Sequence, residues 1–160
     1  MSTRYFIIGR PSSGKSALAE RLAEDFAGPH TYVATLQKCD ETKKKIFLHR
    51  QRRKSFWVTK ELLTGSSSDI ETLRALTCSP GTILLDGLMA LVLNFWRSQE
   101  LIGSGMDFQR SIISLFQMSK ANWIIVDVLP AYQGEISHLL EHIRRPLCAC
   151  SGIKIISVFR

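Results

Sequence analysis

Long apolar runs are missing from this sequence. The longest, Leu88 to Trp96, is interrupted by Asn94 and falls well short of the roughly 20 residues a membrane-spanning helix needs. The first, Tyr5 to Ile8, is too short for a secretory signal and runs straight into a glycine, so the expectation is a cytoplasmic chain with no membrane span. Cysteine is sparse: Cys39, Cys78, Cys148 and Cys150 include no CxxC pair and no supporting pair of histidines. That spacing argues against a zinc site and for reduced thiols. Acidic residues are also short, with 14 Asp and Glu against 21 Lys and Arg and a formal charge of +7.

A basic chain suits an anionic partner, but net charge alone does not separate nucleic acid from nucleotide phosphates. Much of the excess sits in Lys43-Lys44-Lys45, Arg50, Arg52, Arg53 and Lys54. This stretch has no interleaved aromatic other than Phe47, and no nucleic-acid module accompanies it, which disfavours nucleic acid as the partner. Neither a repeat nor a linker breaks the 160 residues, so residues 1–160 are expected to form a single domain.

The pattern alternates strands and helices. Arg4 to Ile8 reads as a strand, Lys15 to Phe26 as a helix with Leu18, Leu22 and Phe26 on one face, and Thr31 to Thr35 as a second strand. Asp40 to Arg53 is a basic helix with a thin apolar stripe, capped by Asp40 or Thr42. Phe56 to Thr59 follows as a short strand, and Ser68 or Asp69 caps a helix through Leu76. Beyond the Pro80-Gly81 turn, Thr82 to Leu85 and Trp123 to Val128 read as largely apolar strands, as buried parallel strands are. Helices are expected over Leu88 to Leu101, Asp107 to Lys120 and Glu135 to Arg144, and a last strand over Ile153 to Phe159. The expected fold class is α/β, a mostly parallel sheet with helices on both faces.

Gly9-Arg10-Pro11-Ser12-Ser13-Gly14-Lys15-Ser16 meets the GxxxxGK[ST] pattern at every defined position, between a predicted strand and a predicted helix. Such a P-loop curls backbone N–H groups around phosphates, so ATP or GTP is the expected ligand. Lys15 reaches the β and γ oxygens and the Ser16 hydroxyl ligates Mg2+. The helix that follows turns its positive end to the same anion. Asp86, at the end of an apolar strand, is the expected second metal ligand, although it also suits the N-cap of the helix from Leu88. The fold is therefore P-loop NTPase-like.

Tyr32-Val33-Ala34-Thr35, Asp40-Glu41, Ile46, His49-Arg50, Arg53, Trp57, Thr59 and Glu61 follow in an order that resembles the bifunctional adenosylcobinamide kinase and adenosylcobinamide-phosphate guanylyltransferase family of cobalamin biosynthesis. The likeness continues through Leu84-Leu85-Asp86-Gly87-Leu88 and Asn94 and returns at Ser151-Gly152-Ile153. It implies that His49 is the nucleophile that carries a guanylyl group from GTP, with Lys15 also catalytic and Arg50, Arg53 and Glu61 at the nucleotide. It further implies γ-phosphate transfer to a corrinoid, adenosylcobinamide, and a homo-oligomer, commonly a trimer. His30, His138 and His142 have no such neighbours and read as structural or exposed.

The likeness lapses after Val126. The family carries Asn-Glu-Val-Gly there, and this chain reads Asp127-Val128-Leu129-Pro130. Tyr132 to Cys150 is also shorter than the family pattern, and the first of two adjacent family histidines is Leu48 here. Two other functions therefore stand beside the first: another small-molecule P-loop kinase using the basic helix as a lid, or a nucleotide-binding paralogue without corrinoid chemistry.

Overall fold

The computed structural model describes residues 2–98, 105–129, 135–150 and 152–159. Six strands form one sheet in the order β3-β2-β4-β5-β1-β6, and every pairing is parallel. They are β1 (Arg4–Gly9), β2 (His30–Ala34), β3 (Trp57–Glu61), β4 (Thr82–Asp86), β5 (Asn122–Val128) and β6 (Ile153–Val158). The helices are α1 (Lys15–Glu24), α2 (Asp40–Arg52), α3 (Ser67–Cys78), α4 (Leu88–Ser98), α5 (Gly105–Met118) and α6 (Glu135–Ala149). Parallel strands need crossovers, and the helices supply them.

Successive strand residues point to opposite faces, and the buried residues divide accordingly. Phe6, Val33, Ile83, Leu85, Trp123 and Ile125 face one way and pack with Leu73, Leu91, Phe95, Ile112, Phe116, Ile143 and Leu147 from α3 to α6. Their neighbours Ile7, Tyr32, Leu84, Ile124 and Val126 face the other way, against Ala19 and Ala23 of α1. The expected helix-covered sheet with apolar central strands is thus the fold observed. Helix α2 differs from the others in burying no residue, and Phe47 and Leu48 stay about half exposed. Polar contacts anchor it instead: Arg52 grips Glu20 of α1 at 2.5 and 2.8 Å, and Lys54, just beyond α2, meets Glu24 at 2.6 Å.

Several boundaries move from their expected places for physical reasons. Helix α6 runs past Arg144 and through Pro146, because Ile143 and Leu147, four residues apart, are both fully buried. That packing outweighs the roughly 3 kcal/mol a mid-helix proline costs. At α3 the cap position is Ser66, and Asp69 instead accepts from the Thr64 and Gly65 N–H groups at 2.9 and 2.8 Å. At α2 the cap position is Cys39, whose N–H is received by the Thr42 hydroxyl at 2.9 Å, a reciprocal use of the third helical residue. Strand β3 extends to Glu61 because β2 pairs with it as far as Ala34. The stretch expected to end α4 at Leu101, the following Gly103-Ser104, and Ser151 lie outside the described residues.

The register delivers one strand end beside the next. Gly9 lies level with Val128, Asp86 with Val126, and Ala34 with both Asp86 and Glu61. Ligands of open α/β sheets sit at this carboxyl edge.

The segment that departs from the family also contributes at this edge. Asp127 is fully buried and takes two N–H groups of Arg144 at 2.6 and 3.1 Å. It also accepts from the backbone of Val128 at 2.9 Å and of Met89 at 3.2 Å. Burial pushes its carboxyl up, while Arg144 and the two backbone N–H groups pull the other way. One carboxylate thus ties α6 and the start of α4 to the end of β5.

Removing one partner of a buried pair leaves the other without compensation, at a cost of about 3–5 kcal/mol. Arg144→Met is therefore expected to lower unfolding free energy in urea by about that amount. The double variant Asp127→Asn/Arg144→Met should recover more than half of the loss. A loss of less than about 1 kcal/mol for Arg144→Met would contradict this account.

Candidate active site

The loop from Gly9 to Ser16 joins β1 to α1 at the carboxyl edge of the sheet. Two of its residues, Ser12 and Gly14, have positive φ of 58° and 87°, and this geometry turns successive N–H groups inward to make an anion nest. Gly9 is required for another reason, since a Cβ there would come within 2.1 Å of the Val158 carbonyl oxygen on the neighbouring strand β6. Lys15 is buried. Its ammonium donates to the Arg10 carbonyl and to the Ser13 hydroxyl at 3.3 Å. Burial, then Lys45, lowers its pKa, against the pull of Asp86 and Asp127. Arg10, Pro11 and Ser12 are exposed, and Pro11 and Ser12 face the cleft described below.

Asp86 is the hub. Its Oδ1 accepts from the Ser16 hydroxyl at 2.9 Å. Its Oδ2 accepts from the Tyr32 hydroxyl at 2.5 Å and lies 2.9 Å from Nδ1 of His49. Tyr32 Oη and His49 Nδ1 are themselves 3.0 Å apart. Burial raises the Asp86 pKa, yet the hydrogen bonds from His49, Tyr32 and Ser16 together hold it below the usual carboxylate range. Burial and the adjacent Asp86 charge push the Tyr32 hydroxyl far above its ordinary value, so it stays protonated. The N-cap role that the sequence also allowed for Asp86 falls to Asp127, which accepts the Met89 N–H at the start of α4.

Ser16 and Asp86 offer magnesium two hard oxygen donors beside the anion nest, and that donor set fits the ion. Among the described residues no group of three or more His, Cys, Asp or Glu could hold a metal by itself. Phosphate oxygens and water would complete the coordination, as is usual for this ion.

The P-loop, Asp86 and His49 line a cleft of about 840 Å³ that also takes in Arg50, Arg53 and Glu61. His49 and Asp86 meet from different elements, α2 and the end of β4. Arg50 pairs with Glu61 at 2.9 Å, with Lys38 3.8 Å from the same carboxylate oxygen. Arg53 donates to the His49 carbonyl at 3.0 Å and to the Thr59 hydroxyl at 2.8 Å, and its guanidinium lies 3.8 Å from the centre of the Tyr32 ring. Of the expected site residues, Pro11 to Ser16, His49, Arg50, Arg53, Glu61 and Asp86 line this cleft, whereas Gly9 and Arg10 are not part of its lining. The other histidines stand apart: His30 donates to the Ala23 and Phe26 carbonyls at the end of α1, while His138 and His142 are exposed.

Three contributors were not assigned site roles from sequence. Tyr32 belongs to the stretch that resembles the family, but its contact with His49 at 3.0 Å joins residues that the sequence pattern does not bring together. Thr35 is buried and donates to the Asp86 and Gly87 carbonyls, fixing the main chain at the hub. Asn94 donates to the Thr35 and Leu62 carbonyls at 2.8 and 3.0 Å, and so holds the ends of β2 and β3 from within α4.

Known proteins carry the same stretch. The family described as cobinamide kinase / cobinamide phosphate guanyltransferase matches residues 5–128. The match stops at Val128, one residue beyond Asp127, and does not reach Ser151-Gly152-Ile153. The bifunctional adenosylcobalamin biosynthesis protein CobP of Pseudomonas aeruginosa is 38% identical over 91 residues, which cover 54% of this chain and 53% of that protein. The aligned part thus spans about half the relative's length. With more than three quarters of its residues inside the family match, this chain belongs to the cobinamide kinase / cobinamide phosphate guanyltransferase family.

Proposed function

We propose that residues 1–160 form one nucleotide-binding domain that phosphorylates adenosylcobinamide and then transfers a guanylyl group to the product, in the cytoplasm. The observation that carries this reading is the direct contact of His49 with the carboxylate that also faces the P-loop serine. A kinase needs only the P-loop and Asp86; an imidazole held at the same carboxylate adds a nucleophile.

In the phosphoryl step, the backbone nest and Lys15 would hold the β and γ phosphates of ATP or GTP. Ser16 and Asp86 would hold magnesium, which when bound neutralises charge on the phosphate oxygens. Positioning and charge stabilisation account for most of such catalysis. For phosphates, Lys15 would exchange the Arg10 carbonyl and the Ser13 hydroxyl for phosphate oxygens. In the guanylyl step His49 would attack the α-phosphorus of GTP, and Arg50 and Arg53 would lie within reach of the triphosphate. Glu61 keeps Arg50 extended along the cleft.

The same reading takes the protein as a homo-oligomer, a trimer, with sites near subunit boundaries. Phe47, Leu48, Phe56 and Val58 are large apolar side chains left about half exposed on or next to α2 and β3, and a neighbouring copy would cover them. Light scattering should return three times the 18.1 kDa chain mass; a monomer would contradict the assembly.

Wild-type protein incubated with GTP labelled at the α-phosphate should acquire acid-labile, alkali-stable label. His49→Ala should acquire none, while still phosphorylating adenosylcobinamide within about tenfold of the wild-type rate. Lys15→Ala should lose about 100-fold or more in phosphoryl transfer. Label retained by His49→Ala would overturn the guanylyl assignment.

A pH profile checks the hub. The Asp86 pKa lies below its ordinary 3.8 in the folded protein, so its bonds stabilise the fold fully above the unfolded value and are lost as pH falls through the folded one. Melting temperatures of wild type and Asp86→Asn should stay apart down to about pH 4, the unfolded value, and draw together only as pH falls further, through the lower folded value. Convergence already at pH 6 would show that Asp86 is not held as a carboxylate.

A further inference from the structure

Three hydrogen-bonding atoms form a closed triangle at the hub, and elementary donor counting decides which atom of His49 can act. Asp86 Oδ2 only accepts. Tyr32 has one hydroxyl proton, and at 2.5 Å from Oδ2 that proton is committed to Asp86. His49 Nδ1 lies 2.9 Å from Oδ2 and 3.0 Å from the Tyr32 oxygen. A lone pair on Nδ1 would therefore face lone pairs on both neighbours, whereas a proton there satisfies both. The ring must bear its proton on Nδ1 and its lone pair on Nε2, at the opposite edge of the imidazole.

We infer that His49 forms its covalent nucleotide adduct through Nε2, with Asp86 and Tyr32 as positioning residues that fix the tautomer by holding Nδ1–H. This inference rests on the guanylyl-histidine reading and specifies its atom. The Nε2 lone pair forms a bond to the α-phosphorus of GTP. The bond from that phosphorus to the bridging oxygen breaks, and its electron pair departs with pyrophosphate. The ring keeps the Nδ1 proton and becomes a cation, which faces the Asp86 carboxylate. In the return step an oxygen of the acceptor's phosphate attacks the same phosphorus, and the pair of the P–N bond goes back to Nε2.

The two oxygens of Asp86 make this compatible with the kinase step. Oδ1 faces Ser16 and the P-loop, while Oδ2 faces Tyr32 and His49. The metal-side and imidazole-side jobs fall on different atoms of one carboxylate. Further contacts hold the triangle: Thr35 pins the backbone of Asp86 and Gly87, and Arg53 covers the Tyr32 ring while bonding the His49 carbonyl.

The test reads the point of attachment. Full-length wild-type protein is labelled with α-labelled GTP, the nucleoside is removed chemically, and the phosphohistidine released by alkaline hydrolysis is separated into its two isomers. Label on Nε2 supports the inference. Label on Nδ1 overturns it while leaving the guanylyl-histidine reading intact, and no label on folded protein overturns both. Tyr32→Phe should reduce the maximal labelling rate about tenfold and leave the GTP concentration for half-maximal rate within about twofold, because Tyr32 bonds the histidine side and not the nucleotide side of Asp86. Labelling of Tyr32→Phe at the wild-type rate would remove Tyr32 from the positioning set.

Discussion

One largely buried carboxylate, Asp86, joins the two halves of this site. It stands at the end of a strand whose other residues, Thr82 to Leu85, are all buried, so its position is set by the sheet core. Its two oxygens then divide the neighbourhood, one toward the Ser16 hydroxyl and the other toward the Tyr32 hydroxyl and the His49 imidazole. A buried carboxylate without partners would cost several kcal/mol or take up a proton. Three donors remove that cost, and in doing so they bring α1, β2, β4 and α2 to one point.

The helix that carries His49 is held differently from everything around it. Helices α1 and α3 to α6 dock through apolar residues, while α2 buries none and relies on His49, the Arg52–Glu20 pair and the neighbouring Arg53 and Lys54 contacts. Exposed ion pairs typically contribute 0–1 kcal/mol each, although Glu20, nearly buried, makes its pair stronger than most. The imidazole at Asp86 is thus both the chemical group of interest and one of the anchors of its own helix. Chemistry that engages the imidazole also changes what holds α2 in place.

How much of this could be seen beforehand depended on range. The phosphate loop is legible because eight consecutive residues carry all of its requirements: glycines for close approach and positive φ, a lysine, and a hydroxyl. Asp86 is legible because an apolar run ending in a carboxylate has few readings. Parallel pairing follows from the alternation of strands and helices, and the observed split of Phe6 from Ile7 or Tyr32 from Val33 follows from strand pleat; the strand order does not. The Tyr32–His49–Asp86 triangle joins residues 17 and 54 positions apart along the chain, and periodicity carries no information about such meetings. Arg144 was hidden for a related reason. The expected helix ended at Arg144, whereas the burial of Ile143 and Leu147 carries the helix on and presents Arg144 to Asp127. The stretch in which likeness to the family fades has its own buried ion pair, Asp127 with Arg144.

The central claim is that Asp86 and Tyr32 hold a proton on Nδ1 of His49 and leave the lone pair on Nε2. Nitrogen NMR of histidine-labelled protein at about pH 8.5, above the ordinary histidine range, reads this directly. For His49 the account predicts a proton-bearing shift at Nδ1 and a lone-pair shift at Nε2. The reverse assignment, or two averaged shifts from a ring exchanging freely between tautomers, would contradict it.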